Sequence, residues 1–224
     1  MKIKKLSIIP VREQIFNHVK EAIITDEYKA GQIIQIEKLA RQFGVSATPI
    51  RETLIRLENS GMVKLIPNKG AQVTSFTRQD IRDTWEMRKL LEPYAGRITS
   101  ALDISSEIEH IRKMITTIME EDYDFYEYLQ TDNDIHELFF IHVTNTLLKE
   151  TMDRVHHISM RMRYFPEGLN NDYESVIKEV NLEHLAILDA FDAKDPDLVE
   201  RTIYQHIVNS EQRTLTSTQG EMER

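Results

Sequence analysis

Histidine and aspartate residues in the second part of the chain have the side chains best suited to chemistry. Asp132 and His136 are four residues apart in "QTDNDIHELFF", so one helix face would carry both and they could share a metal ion. His184 in "NLEHLAIL" and His206 in "IYQHIV" fall on the apolar sides of two later helical segments. A histidine among core-facing residues is more often a hydrogen-bonded core residue, so the spacing alone leaves both interpretations open.

A second stretch with chemical potential lies near the N-terminus, at "GVSATPIRETLIRLENSGMV", residues 44–63. Ser46 or Thr48 can cap a helix there, and Pro49 falls in its first turn, where a missing N–H leaves no helical bond unmade. The polar face, which includes Arg51, is short, cationic and close to the helix N-terminus, where an anion is favoured. These features predict a recognition helix that approaches DNA. The apolar stripe of this helix is Ile50, Leu54 and Leu57.

The elements around this helix predict a winged helix-turn-helix. A helix begins at Val11, and a second helix over residues 36–43 ends at Gly44, a residue that suits a left-handed helix end. After the recognition helix, two short apolar strands, 63–66 and 71–74, flank the turn "PNKG". Lys69 at the tip of this wing could reach a groove or a phosphate. A winged helix that makes only protein contacts is the alternative.

Charge divides the chain into two parts. Residues 1–78 hold 13 Lys and Arg against 7 Asp and Glu, whereas the rest holds 15 against 30, so a net charge of −9 conceals a basic N-terminal part. We therefore expect domains at residues 1–77 and 78–224. The absence of cysteine suits a reducing compartment, and no apolar run approaches the length of a membrane span. A cytoplasmic protein without a membrane partner is expected.

The acidic part predicts an all-α bundle, because it has long stretches of helical period and few glycines or prolines. Thr77 followed by Asp80 has the spacing of a capping box and marks the first helix start. The fold class is therefore mainly α: a winged helix with a small β-hairpin, followed by the bundle. The predicted helices are 78–101, 104–120, 123–147, 148–165, 172–193 and 195–216.

The segment "LARQFGVSATPIRETLIRLENSGMVKLIPNKGAQV" resembles the DNA-binding domain of the GntR family of bacterial transcription regulators. The similarity covers the Leu-Ala pair, the Gly-Val-Ser and Thr-Pro steps, the Arg-Glu pair, and the glycines after the helix and in the wing. Two departures are Ala47, where the family usually has arginine, and Thr53, where it usually has alanine; the first puts the usual operator preference in doubt. The resemblance implies DNA contacts by Ser46, Thr48, Arg51, Lys69 and Gly70.

The acidic part resembles the FCD effector-binding domain of the FadR-type branch of the same family. The resemblance rests on the segment "WEMRKLLEPYAGRI" and on the order Asp-x-x-x-His, then Glu-His, then a later His. The resemblance implies a divalent transition metal (Zn, Ni or Mn) held by Asp132, His136, His184 and His206, and such an ion would keep positions for a ligand carboxylate. Arg88 and Asn145 are the expected effector-binding residues, although an ion pair between Arg88 and Glu92 is an equal alternative.

The expected function is a homodimeric transcription regulator, with repression relieved by a small carboxylate effector at the metal. Each winged helix would read one half of a pseudo-palindromic double-stranded DNA operator. A regulator that responds to metal alone and a metal-free pocket in which the histidines bind the effector are alternatives. A metal-dependent enzyme, with Asp134 as its base, is a further alternative that we do not favour.

Overall fold

The computed structural model describes residues 10–25, 27–59, 61–67, 69–120, 125–169 and 173–217. The chain forms two compact units, Met1–Ser75 and Phe76–Arg224. Most of the structure is helical, as the sequence predicts, with one small sheet in the first unit. None of the helices in the described ranges is long and apolar enough to cross a membrane.

The first unit consists of three helices and a three-stranded sheet. Strand β3 lies in the centre of the sheet and pairs antiparallel with both β1 and β2. The elements are α1 (Val11–Ile24), β1 (Ile33–Ile34), α2 (Ile36–Phe43), α3 (Ala47–Asn59), β2 (Val63–Ile66) and β3 (Gly70–Val73).

The turn between α2 and α3 follows the local signals of the sequence. Gly44 ends α2 with a φ of 65°, the left-handed conformation that glycine adopts without a steric penalty. Helix α3 begins at Ala47, directly after Ser46, so Pro49 is its third residue, where the backbone needs no N–H donor. The predicted apolar stripe is completely buried, which directs the opposite face of α3 outward.

Helix α3 is held against α1 by polar contacts as well as by its apolar stripe. Arg56 donates to both carboxylate oxygens of Glu13, at 2.6 and 3.2 Å, and its guanidinium lies 3.9 Å from the centre of the Phe16 ring. Thr53 is buried, and its hydroxyl donates to the Arg12 carbonyl at 3.5 Å. The threonine that departs from the family pattern therefore joins α3 to α1.

The predicted hairpin is present, with its second strand one residue earlier than expected. Strand β1 was not predicted, because a two-residue strand is too short to show alternation. It pairs Ile33 with Gln72 and Ile34 with Ala71. Asn68, in the predicted turn, lies outside the described residues.

The second unit is a bundle of six helices in the described part of the chain. Thr77 and Asp80 form the predicted capping box, since each side chain accepts the backbone N–H of the other residue, at 2.7 and 3.1 Å. The helices are α4 (Arg78–Thr99), α5 (Ser105–Glu120), α6 (Phe125–Leu138), α7 (Thr146–Leu169), α8 (Tyr173–Asp192) and α9 (Pro196–Ser217). Residues 123, 124 and 172 of the predicted helices lie outside the described residues.

The predicted helix 123–147 is wrong, because α6 ends at Leu138. The Phe139 carbonyl accepts the Thr99 hydroxyl at 2.9 Å, and residues 139–142 form turns. The Asn145 side chain then accepts the backbone N–H of Leu148 at 3.1 Å, which caps the start of α7. The apolar run "LFFIHV" hides this break, because turn residues that pack into a core are as apolar as helix residues. Helix α7 also continues four residues beyond its predicted end.

Helices α4 and α9 pack closely at Gly96. A Cβ atom added at Gly96 would overlap the Cδ1 atom of Ile203 and lie 3.3 Å from the Cγ1 atom of Val199. Ion pairs flank this contact, with Lys89 bound to Glu211 at 2.7 Å and Arg97 bound to Glu200 at 3.0 Å. The core beneath includes Trp85, Ile135, Phe139, Ile187, Leu188 and Ile207.

We expect Gly96→Ala to destabilise the second unit by roughly 1–3 kcal/mol, because the new methyl group overpacks the contact with Ile203. Urea unfolding followed by the fluorescence of Trp85, the single tryptophan, measures this unit alone. Ile203→Val removes the overlapping Cδ1 atom, so the double variant should lose less stability than the two single variants added together. Strictly additive losses would contradict the proposed contact.

Candidate functional site

Buried polar side chains from five helices meet inside the second unit. Helix α6 contributes Asp132 and His136, α8 contributes His184, and α9 contributes His206. These four residues, which the sequence predicts as metal ligands, are each at most 4% exposed. We call them the histidine cluster. Helices α4 and α7 place charged residues around it, namely Arg88, Glu92 and Arg163.

The three imidazoles converge as metal ligands would. One ring nitrogen from each of His136, His184 and His206 lies within 4.8 Å of the other two. The Nε2 atoms of His136 and His206 are 3.4 Å apart. Asp132 supplies a carboxylate oxygen at 3.6 Å from His184 Nε2 and 3.9 Å from His136 Nε2. The donors therefore lie close enough to share one ion after small adjustments.

Carboxylates outside the cluster orient two of its rings. Glu92 accepts from His136 Nδ1 at 3.0 Å, and Glu183 accepts from His206 Nδ1 at 2.7 Å. An Nδ1 proton donated to a carboxylate leaves the Nε2 lone pair available, and this arrangement is common around protein-bound metals. Both Nε2 atoms consequently face the interior of the cluster.

Glu183 is itself fixed by α9. Arg213 donates to both of its carboxylate oxygens at 2.9 Å, and Asn209 donates at 2.8 Å. Burial would raise the pKa of Glu183, but hydrogen bonds from Arg213 and His206 outweigh it and hold the pKa well below its ordinary value. Glu183 is therefore an ionised acceptor for the His206 ring.

His184 is the least satisfied member of the cluster. It is completely buried, and neither ring nitrogen has a hydrogen-bond partner among the described residues. Burial, followed by repulsion from His206, lowers its pKa to about 3, so the ring is neutral. Burial also lowers the pKa of His136 well below its ordinary value. A buried imidazole without a partner is costly, and neutral rings are the metal-binding form, so the cluster fits a divalent transition metal.

Arg88 forms the ion pair that is one of its two interpretations from the sequence, and its role in effector binding stays a prediction. Its Nε atom donates to Glu92 at 2.7 Å, which is the ion pair one helical turn away. Its Nη2 atom lies 3.4 Å from His136 Nδ1, and its Nη1 atom has no acceptor among the described residues. Burial lowers its pKa, yet a guanidinium stays charged in proteins. Arg88 therefore keeps one donor for an anion beside the cluster.

Asn145, the other predicted effector residue, is not buried as Arg88 is. It is exposed, and its side chain caps α7 through the Leu148 backbone N–H. The side-chain oxygen of Asn145 is thus engaged in a helix cap, and its role in effector binding stays a prediction.

The sequence did not identify Glu183, Arg163 and Arg213 as parts of the site. Glu183 directly precedes His184 along the chain, yet its hydrogen bond goes to His206 of the next helix. Arg163 lies 3.4 Å from Asp132 and leaves no signal in the sequence. Glu92 was considered only as a partner for Arg88. Such contacts depend on how helices pack, which local spacing does not record.

The predicted DNA-binding residues of the first unit are mostly on its surface. Ser46, Thr48 and Arg51 are exposed at the start of α3, and Lys69 is exposed on the wing. Arg51 and Lys69 also line one groove between α3 and the wing. The exposed N-terminal end of α3 can thus present hydroxyl groups, backbone N–H groups and a guanidinium to an anion.

Gly70 differs from these four residues because it is buried. Its φ is 117°, and a Cβ atom there would overlap the carbonyl oxygen of Ile34. Only glycine allows β1 and β3 to approach at this point. Gly70 therefore shapes the wing that carries Lys69, and its contact with DNA stays a prediction.

Comparisons with known proteins agree with both units. Residues 11–73 match the gntR family of bacterial regulatory proteins, and residues 83–209, more than half of the chain, match the FCD domain. The HTH-type transcriptional repressor RspR of Escherichia coli is 23% identical over 200 residues, which cover 88% of this chain and 86% of RspR. The gluconate operon transcriptional repressor of Bacillus subtilis is 25% identical over 214 residues, which cover 91% and 84%.

Solved structures share the fold. E. coli McbR/YncC superposes with a TM-score of 0.74 at 17% identity and covers 90% of this chain and 95% of its own. A GntR family transcriptional regulator from Pseudomonas syringae gives 0.51 at 22% identity and covers 95% and 88%. With a GntR winged helix in the first unit and an FCD domain in the second, this chain belongs to the GntR family of bacterial transcription regulators, in the branch that carries an FCD domain.

Proposed function

We propose that this regulator is a homodimeric repressor whose operator affinity is controlled by a small carboxylate bound at a divalent metal. Residues 1–77 would bind the DNA, and residues 78–224 would hold the metal and the effector. Residence in the cytoplasm, where the chromosome is, follows from this role. The observation that carries the proposal is the convergence of three buried imidazoles and one carboxylate in a chain with a winged helix.

The donor set supports the metal. Neutral imidazoles with one carboxylate suit Zn, Ni or Mn, and an ion with more than four positions has room for a ligand carboxylate. The metal would supply a Lewis-acidic anchor for that carboxylate. The hydrogen bonds of Glu92 and Glu183 keep two rings turned so that their Nε2 atoms can coordinate.

Helix α4 connects this site to the DNA-binding unit along the chain. It begins at Arg78, directly after the first domain, and carries Arg88 and Glu92 beside the cluster. It also packs on α9, the helix of His206. A ligand that prefers one arrangement of α4 and α9 would change DNA affinity by that preference alone. The RspR protein and the gluconate operon regulator are both named repressors, which supports repression rather than activation of transcription.

A stripe of apolar side chains on α4 supports the homodimer. Met87, Leu90, Tyr94 and Ile98 recur every three or four residues and are 37 to 64% exposed. A continuous apolar helix stripe that faces solvent marks a surface for a partner. Two copies of one stripe can pack around a two-fold axis, which matches two half-sites of an operator.

We expect near-stoichiometric transition metal in tag-free protein and its loss in His184→Ala, because this variant removes one of three imidazole donors. Elemental analysis after dialysis and reloading with Zn, Ni and Mn measures the metal per chain. His142→Ala is the matched control, since His142 lies outside the cluster and pairs with Glu107. Wild-type protein that takes up none of these metals would refute the proposed metal site.

We expect Arg51→Ala to weaken operator binding by about 5- to 150-fold, because a bidentate arginine on a guanine is worth roughly 1–3 kcal/mol. Lys69→Ala should instead weaken binding to all sequences and lower the slope of log affinity against log salt by about one. Fluorescence anisotropy with a duplex enriched from random DNA by the wild type measures both. Lys178→Ala, an exposed lysine of α8, is the control. Unchanged binding by both wing and helix variants would refute this interface.

We expect Leu90→Glu to convert the dimer to a monomer, because two buried carboxylates would replace an apolar contact. Sedimentation velocity measures the change, and operator affinity should fall with it. Leu147→Glu is the control, since Leu147 is 74% exposed at the start of α7 and outside the stripe. A Leu90→Glu protein that remains a dimer would show that the stripe is not the interface.

A further inference from the structure

We propose that the effector is a dianion, a short molecule with two carboxylate groups, one for the metal and one for Arg88. The inference rests on the proposed metal site and narrows the class of ligand that this site would take. Three observations carry it: the balance of buried charges, the positions of two anion-binding groups, and a set of buried polar atoms without partners.

Among the described residues, the buried charges around the cluster cancel before a metal is added. The side chains of Arg88, Arg163, Asp132 and Glu92 are all buried, with at most 5% of each residue exposed. Two guanidinium and two carboxylate groups therefore balance, and metal-bound imidazoles are neutral. The next ion pair outward, Glu183 with Arg213, also balances.

A divalent ion would leave two positive charges in this buried site. Uncompensated charge in a protein interior is costly, since the surroundings cannot replace its hydration. A monoanion would neutralise only one of the two charges, whereas a dianion neutralises both. The balance of the described residues thus favours a ligand with two negative groups over a monocarboxylate.

Two separate anion-binding groups lie on opposite sides of one imidazole ring. His136 directs Nε2 toward His206, and its Nδ1 side lies 3.4 Å from Arg88 Nη2. The guanidinium of Arg88 and the point where the Nε2 atoms meet thus lie on either side of the His136 ring, and the Nη1 atom of Arg88 has no partner among the described residues. A ligand that reaches from one side of this ring to the other has its two carboxylates on a short carbon chain.

Buried polar atoms without partners occur on the same helices. Arg88 Nη1 and Trp85 Nε1 on α4 have no hydrogen-bond partner among the described residues, and the guanidinium lies 5.1 Å from the Trp85 ring centre. On α8, Asn181 lies one turn before His184 and is 1% exposed. Neither its side-chain nitrogen nor its side-chain oxygen has a hydrogen-bond partner among the described residues. Unpaired buried donors are rare and indicate a missing polar partner.

Isothermal titration calorimetry of the zinc-loaded full-length protein tests whether the effector carries two negative charges. The probes are malonate, succinate and glutarate, each beside its half-amide, which keeps the size and removes one charge. We expect the best dicarboxylate to bind at least about tenfold more tightly than its half-amide, because a charge-assisted hydrogen bond is lost. Arg88→Gln should reduce this ratio toward one. Arg112→Gln, an ion-pair variant on the surface of α5, should keep it.

Each outcome bears on the inference. A dicarboxylate and its half-amide that bind equally would overturn the dianion and leave the carboxylate-responsive metal site in place. Metal-loaded protein that binds none of the probes would overturn both the dianion and the carboxylate effector and would favour a response to metal alone. Protein that takes up no metal would remove the basis of both proposals. The comparison of dicarboxylate with half-amide on the wild-type protein tests the dianion even if Arg88→Gln fails to fold.

Discussion

The hydrogen bonds between buried imidazoles and the carboxylates beside them are the constraint on which the second unit depends. A histidine ring inside a helical bundle has two polar atoms and no water to satisfy them, so a partner from another helix stabilises it. Glu92 on α4 serves His136 of α6, and Glu183 on α8 serves His206 of α9. These two contacts join four helices and turn the free nitrogens toward one point. Close packing of α4 on α9 at Gly96 supports the same arrangement.

The two units use polarity in opposite ways. In the winged helix, apolar residues of α3 fill the interior, and its hydroxyl groups and Arg51 are exposed at the helix start. In the bundle, charged and polar residues are enclosed, and an apolar stripe of α4 is exposed. A unit with outward polar groups suits a charged macromolecule, and a unit with enclosed polar groups suits a small ion or metabolite.

Local signals in the sequence predicted local structure well. The capping box at Thr77, the left-handed Gly44 and the buried stripe of α3 each depend on residues a few positions apart, and all three are present. The break between α6 and α7 was missed. Its apolar residues pack like helix residues, and its clearest sign, Asn145, was interpreted as an effector residue although it caps α7. The two-residue strand β1 was equally invisible, because its pairing partner is far along the chain.

The sequence by itself determined the mainly helical fold through its periodicity and the family through its short motifs, and the resemblance to that family pointed to the four residues of the histidine cluster. Tertiary structure decided which groups serve them. Arg163 beside Asp132, Glu183 beside His206 and the free Nη1 atom of Arg88 result from the way separate helices pack. The ion pair between Arg88 and Glu92 also required the structure. Distances between helices arise from the shapes of many packed side chains together, and no local pattern in the chain records them.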